Sequence, residues 1–214
     1  NQFIMKKKVF SLMMTLLLAF VGVAKAEVVE IGTGTSTTYM VPFNSLYNYS
    51  FTEQVFLASE IGTAGNINSI SFHIGQAYTS EQTNDVVLYM KNVSRETFSS
   101  TTDYEPVTAG DIVFQGQWTI PVCSAGDWIT LTLDTPFAYD GTSNLMIAMD
   151  ENTGSYQTRY FYCTSVTNSG ISYYSDSYNP DPYNLDSYSG SKVLRSNRSN
   201  IQLDITAGGG GGTG

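Results

Sequence analysis

Polar and apolar residues alternate with period two along much of this chain. Over 128–133, Ile129, Leu131 and Leu133 fall on one side and Trp128, Thr130 and Thr132 on the other, the pattern of a strand with one wet face. The same alternation places Ile70, Phe72 and Ile74 inward and Ser71 and His73 outward over 67–75. It recurs over 85–93, with Val86, Leu88 and Met90 against Val87 and Tyr89, and over 201–206, with Ile201, Leu203 and Ile205 inward. Shorter or more apolar runs at 28–31, 51–58, 112–122, 145–149, 156–164 and 171–175 complete a set of about ten predicted strands. No window after the first 26 residues carries apolar side chains at helical spacing for three turns, so the prediction is an all-β domain.

Punctuation between the runs supports a sandwich. Pro136 has no N–H to donate and is expected to end the strand that begins at Trp128, and Asp140-Gly141 supplies a tight turn before the next strand. A connection of about ten residues between two antiparallel strands suits a step from one sheet to another better than a hairpin. The stretches 32–38, 95–110 and 175–191 read as loops, and 59–66, with its two glycines, as a turn.

Composition changes the picture at the ends. Lys6-Lys7-Lys8, an apolar run over 9–23 and Ala24-Lys25-Ala26 have the order of a secretory signal peptide cut after Ala26, with the four residues before Met5 as upstream sequence. The leader holds four of the ten basic residues and none of the nineteen acids, which leaves six bases, nineteen acids and a net charge of −13. That charge repels phosphate backbones, so no nucleic-acid partner is expected, and once the leader is removed no segment is expected to span a membrane. Residues 27–206 suffice for a single core, and 207–214, rich in glycine, read as a linker toward additional domains. In an exported protein Cys123 and Cys163 either form a disulfide, worth ~3–4 kcal/mol for a loop of about forty residues, or remain two separate thiols.

Val41-Pro42-Phe43-Asn44 with Tyr47, Ala58 to Gly62 leading into Ile67 to Phe72, and above all Trp128 to Leu131 with Leu133-Asp134-Thr135-Pro136-Phe137-Ala138-Tyr139-Asp140-Gly141 through Leu145 carry a resemblance. Together they resemble secreted β-sandwich modules of Bacteroidetes, the jelly-roll relatives of the cleaved adhesin domains attached to gingipain-type proteases. The resemblance implies a jelly-roll-like antiparallel β-sandwich, secreted or at the cell surface (or in the periplasm), non-catalytic, with calcium-supported loops in some relatives.

Candidate chemistry is sparse. His73 is the sole histidine, on an outward strand position, and no nucleophile elbow accompanies it, so a Ser-His-Asp or Cys-His arrangement is not expected. Two carboxylates alone could serve a glycoside hydrolase, and nineteen acids leave that alternative standing. Asp140, Asp150 and Asn152 offer hard oxygen ligands for a structural calcium, or Asp140 simply bonds its own turn. The best binding candidate is the tyrosine-rich stretch. There Tyr173, Tyr174, Tyr178, Tyr183 and Tyr188 stand among Asp181 and other Asp and Asn residues, stiffened by Pro180 and Pro182. Tyrosine offers a broad face at low entropic cost and the acids and amides offer hydrogen bonds, which suits a glycan or an extracellular protein. An adhesin-like binding module is the expectation, with a structural spacer or filament subunit as a further alternative.

Overall fold

The computed structural model describes residues 25–207; residues 1–24 of the expected leader, which runs to Ala26, and the glycine tail from Gly208 lie outside them. Eleven strands form two antiparallel sheets. The smaller sheet holds β1 (Ala26–Ile31), β11 (Ile201–Thr206), β4 (Gly65–His73) and β7 (Trp128–Tyr139), in that spatial order. The larger runs β10 (Ser191–Ser199), β9 (Phe161–Ser175), β3 (Tyr49–Phe56), β8 (Asn144–Glu151), β5 (Gln82–Val93) and β6 (Ile112–Ile120), with short β2 (Ser36–Thr38) added beside β9.

Setting aside β2 and the β9–β10 hairpin leaves eight strands. Counted in chain order, they lie first-eighth-third-sixth in one sheet and second-seventh-fourth-fifth in the other. That double Greek key is a jelly roll. The β9–β10 hairpin is an insertion between the seventh and eighth strands that widens one sheet only.

The main core lies between the sheets, where the inward residues of the alternating strands meet: Ile70 and Phe72 of β4, Leu88 and Met90 of β5, Leu131 of β7, Ile147 of β8 and Leu203 of β11 are all essentially inaccessible. Trp118 of β6 packs edge-on against Phe43 and donates its indole N–H to Thr130 O of β7 at 3.2 Å, tying the two sheets together along one edge.

A second core covers the outer face of the larger sheet. Phe51 and Val55 of β3, Met146 and Ala148 of β8, Tyr89 of β5 and Ile171 and Tyr173 of β9 point away from the first core. They are buried under Phe98 and Val107 of the 94–111 connection and Leu185 and Tyr188 of the 176–190 loop. Each of these strands is therefore buried on both faces, and in β8 both faces are apolar, which explains why 145–149 reads as a continuous apolar run.

Four departures from the sequence reading have local causes. The strand starting at Trp128 does not end at Pro136: it continues to Tyr139, but the register against β4 jumps between Thr132 and Phe137, so the proline sits in a bulge where no N–H is required of it. The run 156–164 is strand only from Phe161 onward, and that part belongs with 171–175 to one fifteen-residue strand, β9, interrupted by a register shift opposite β10 and by Asn168 at φ 51°. Strand β10 carries little alternation because its basic side chains are buried by pairing: Arg198, 2 % exposed, is held bidentate by Glu60 and donates to Val55 O at 2.9 Å. Glu60 lies in a single helical turn, α1 (Ala58–Ile61), closed by Gly62 at φ 74°, where a turn was expected.

Candidate functional site

The tyrosine-rich stretch is the connection of the inserted hairpin, folded back over the second core. Its odd-looking composition separates into anchors and display. Pro180, Pro182, Leu185 and Tyr188 face the protein and are buried, while Tyr178 and Tyr183 stand 61 % and 56 % exposed, among exposed Asn179, Asp181 and Asn184. Tyr173 is fully buried in β9 and donates its hydroxyl to Thr101 O at 2.8 Å; Tyr188 donates to Tyr178 O at 3.4 Å, and burial pushes its phenol up to about 12. These two tyrosines, expected on the ligand-contacting surface, are core residues. Their rings meet edge to face at 5.8 Å.

Backbone hydrogen bonds fix the display side. Asp181 accepts the N–H of Tyr183 at 3.0 Å through its carboxylate and that of Asn184 at 2.9 Å through its carbonyl, while Ser175 Oγ accepts those of Ser177 and Tyr178. Asn48 clasps Asp176 twice, and Asn179 Nδ2 donates to Asn152 Oδ1 at 2.5 Å. Tyr174, half-buried, leans on Tyr47 with ring centroids 4.4 Å apart, and the Arg195 guanidinium lies 5.5 Å from its centroid. Tyr47 is the member of this surface that the sequence reading missed: it lies about 125 residues away in the chain, and only the β3–β9 pairing brings it near.

Tyr178 stands between two shallow depressions. One, of about 460 Å³, is lined by Tyr47, Tyr174, Asp176 and Gly190; the other, of about 180 Å³, by Asn179, Asp181, Asn184 and Tyr188. The surface combines aromatic faces with hydrogen-bonding rims, as recognition surfaces do.

Three buried carboxyls have strongly raised pKa values, and such groups mark catalytic acids when they face a cleft. Burial lifts Glu53 to about 8 and Asp150 and Glu151 each to about 7. Their geometry does not pair them across a substrate path. Asp150 and Glu151 are consecutive on β8 and so point to opposite faces of the sheet. Glu53 is sealed beneath the 94–111 connection, where one oxygen accepts the N–H of Glu105 at 2.9 Å. Neither depression beside Tyr178 is lined by any of the three.

The candidate calcium ligands are separated by the length of β8. Asp140 precedes that strand and spends its carboxylate on its own turn, accepting from Thr142 N at 2.8 Å, Ser143 N at 2.7 Å and Ser143 Oγ at 2.7 Å, which holds its pKa at about 2. Asp150 lies at the far end, inside β8, and Asn152 just beyond the strand at the start of the next loop, with Asn152 Nδ2 donating to Asp150 Oδ2 at 2.9 Å. Strand rise puts the two ends on the order of 20 Å apart, so one ion cannot bridge them. Among the described residues no group of three or more His, Cys, Asp or Glu side chains is placed to hold a metal.

Cys123 and Cys163 are free thiols, the first half-buried and the second buried with its Sγ donating to Ser36 O at 3.3 Å. Burial raises both pKa values. His73 is on the outward face of β4 as expected, but it is not isolated: its ring stacks on Trp128 at 4.2 Å and touches Tyr162 at 4.6 Å. No helix among the described residues is long and apolar enough to cross a membrane. Compared with known proteins, the chain matches no protein-family model, and no curated protein is similar to it.

Proposed function

We propose that this protein is an exported, non-enzymatic binding module of adhesin type, acting at the cell surface or beyond it. Its ligand, an extracellular protein or an extended glycan, meets the 176–190 loop. The observation that carries this reading is the division of labour within that loop. Four of its residues are buried as anchors, so Tyr178 and Tyr183 are displayed on a surface that does not have to be ordered when a partner arrives. Rigid, outward tyrosines on an anchored loop supply contact area at little entropic cost. The leader-like first 26 residues, the acidic remainder and the resemblance of 128–145 to cleaved adhesin modules support export and a surface role.

The shallow, convex shape of the display favours a partner with a broad surface. The test is binding of the protein to immobilised extracellular-matrix proteins and to a glycan array, compared with a Tyr178→Ala/Tyr183→Ala double variant. Both residues are more than half exposed, so the variant is expected to keep its unfolding midpoint while losing affinity at least about tenfold. Binding that is indifferent to the double substitution would remove the loop from the ligand surface. Hydrolysis of a polysaccharide, abolished by a single Asp or Glu substitution, would replace the binding module with an enzyme.

A further inference from the structure

The outer face of the smaller sheet carries a concave site at the opposite side of the sandwich from the second core. A row of three aromatic rings contributed by three different strands runs along it, and two of them, His73 and Tyr162, line it. His73 of β4 lies directly opposite Trp128 of β7 in the ladder, and their rings are parallel within 10° at 4.2 Å. On the other flank, His73 N donates to Asn200 O at 3.3 Å, Asn200 N donates to Tyr162 O at 3.1 Å, and the Tyr162 ring leans on the imidazole at 4.6 Å and 49°. Both faces of the imidazole are thereby covered, so His73 can meet a ligand only through its edge, where the ring nitrogens are. The His73 ring is the one aromatic neighbour of Tyr162 among the described residues, and on its other flank Tyr162 stands opposite the small, exposed Thr37 of β2.

Beside this row is a cleft of about 350 Å³, at the lower end of the range of small-ligand pockets. Its opposite wall is the 32–35 segment, which the sequence suggests is a flexible loop. The structure holds it rigidly. Thr164 Oγ1 accepts Gly34 N at 2.9 Å and donates to Asn200 Oδ1 at 2.8 Å, while Asn200 Nδ2 donates to Gly34 O at 2.7 Å. A Cβ built on Gly34 would come within 2.1 Å of Cys163 O, so only glycine allows the segment to lie this close to β9. The wall is preformed, and Asn200, 2 % exposed, is its positioning residue.

The chemistry of the lining narrows the ligand. Tyr162 offers an aromatic ring, His73 an imidazole edge, Thr33 and Thr35 exposed hydroxyls, and Glu30 an exposed carboxylate already oriented by Gln202 Nε2 at 3.0 Å. Among the described residues no lysine or arginine lines the cleft. An aromatic face beside a rim of mixed donors and acceptors fits a sugar ring, which has an apolar C–H face and a hydroxylated edge. The absence of a basic lining residue and the presence of Glu30 disfavour phosphorylated, sulfated and uronic sugars.

We propose that this cleft is a second ligand site, independent of the tyrosine loop, that takes one neutral sugar unit of a glycan, stacked on Tyr162 and hydrogen-bonded by Glu30, His73 and the threonines of the 32–35 wall. Trp128 does not line the cleft but stacks on His73, which does, so its fluorescence reports on the site through the imidazole, whereas the other tryptophan, Trp118, is buried in the main core. The purified protein is titrated with glucose, galactose, mannose and N-acetylglucosamine, followed by tryptophan fluorescence and by calorimetry. At least one sugar is expected to saturate in the millimolar range usual for a ligand this small. Tyr162→Ala is expected to weaken it at least about tenfold. Glu30→Gln, at an exposed position that cannot compromise folding, is expected to weaken it by a smaller factor. The Tyr178→Ala/Tyr183→Ala variant is expected to leave it unchanged, which separates this site from the loop.

No heat and no fluorescence change with any of the four sugars would overturn the proposal and leave the aromatic row a packing feature. Saturation that survives both Tyr162→Ala and Glu30→Gln would overturn it as well, by placing the sugar elsewhere. Binding of glucosamine, a cation at neutral pH, with none of the uncharged sugars would overturn the choice of a neutral ligand.

Discussion

The two sheets of this sandwich treat their outer faces in opposite ways. The face of the smaller sheet is bare: Thr130 and Thr132 of β7 are exposed, and His73 and Trp128 are half-buried only by each other and Tyr162. The face of the larger sheet is roofed by two connections and holds a core of its own, with Phe51 and Tyr173 fully buried. One sheet therefore offers its strands to solvent as a surface, and the other offers only what its roof displays. This difference accounts for two candidate sites of unlike shape. The bare face has a preformed cleft whose wall is pinned by Asn200, whereas the roofed face has convex tyrosines whose rigidity comes from buried neighbours in the same loop.

The most severe way to break the comparison is to remove the roofed core. Phe51→Ala would leave a cavity between β3 and the roof at a residue with no exposed surface, and is expected to cost ~3–5 kcal/mol in urea unfolding. Thr132→Ala, at an exposed position on the bare face, is expected to stay within about 0.5 kcal/mol of the wild-type protein. Equal costs at the two positions would mean that the roof contributes no packing. A sharper version measures hydrogen exchange of β8, whose Met146 and Ala148 face the roof: Phe51→Ala is expected to speed exchange there more than in β11.

Next in size is an effect of pH that belongs to the larger sheet alone. Burial raises Glu53 to about 8 from an ordinary 4.5, Asp150 to about 7 from 3.8 and Glu151 to about 7 from 4.5. In the window between those pairs of values the folded state keeps protons that the unfolded chain has released, so stability is greatest near the ordinary carboxylate range and falls as pH rises toward 8. On the acid side the order reverses. Glu60 and Glu105, held low by their hydrogen bonds and charge pairing with Arg198 and with Lys91 and Arg95 against the opposing effect of burial, lose their contribution as pH drops below the ordinary carboxylate values. The alkaline loss is shared by the three groups, and Glu53 is the furthest displaced of them. Glu53→Gln removes the largest part of it, and its unfolding midpoint is expected to exceed that of the wild-type protein at pH 8 and to match it near pH 4.5. If the slope between these pH values survives the substitution, Glu53 is not its source.

The same contrast explains what could be read from the chain. Where one face of a strand is wet, as in β4, β7 and β11, alternation revealed the strand, its inward residues and the outward position of His73. Where both faces are buried, the pattern gives no sign of which residues face the roof: 145–149 of β8 looks uniformly apolar, and β3 mixes Phe51 and Val55 with the buried polar side chains of Ser50, Thr52, Glu53 and Gln54. Nor could the 176–190 loop be divided by composition. Tyr178 and Tyr188 have the same side chain, and only tertiary packing puts one in solvent and the other under Leu185 and Tyr173. Strand β10 escaped because its arginines are buried by pairing with partners distant in sequence, Glu60 above all. The cleft at Tyr162 went unseen for the same reason, since its lining is drawn from five separated segments and its wall from glycines that signalled flexibility.

The smallest expected effect concerns calcium. Sequence placed oxygen ligands at Asp140, Asp150 and Asn152, yet β8 separates them, and each carboxylate is already engaged in a way that competes with a cation. Asp140 accepts from four groups of its own turn, which would have to be given up on binding. Asp150 is buried, with one oxygen bonded to Asn152 and its pKa near neutrality, so ligation would require expelling a proton and bringing an ion into a nearly dry site. Millimolar calcium and excess chelator are therefore expected to give the same unfolding midpoint at pH 7. A calcium-dependent rise would reverse the comparison at this point. The charge around Asp150 that favours such an ion comes from Asp181 of the roof and Asp85 of β5, and a rise abolished by Asp181→Asn would show the roof to be pinned by a metal as well as by its buried tyrosines.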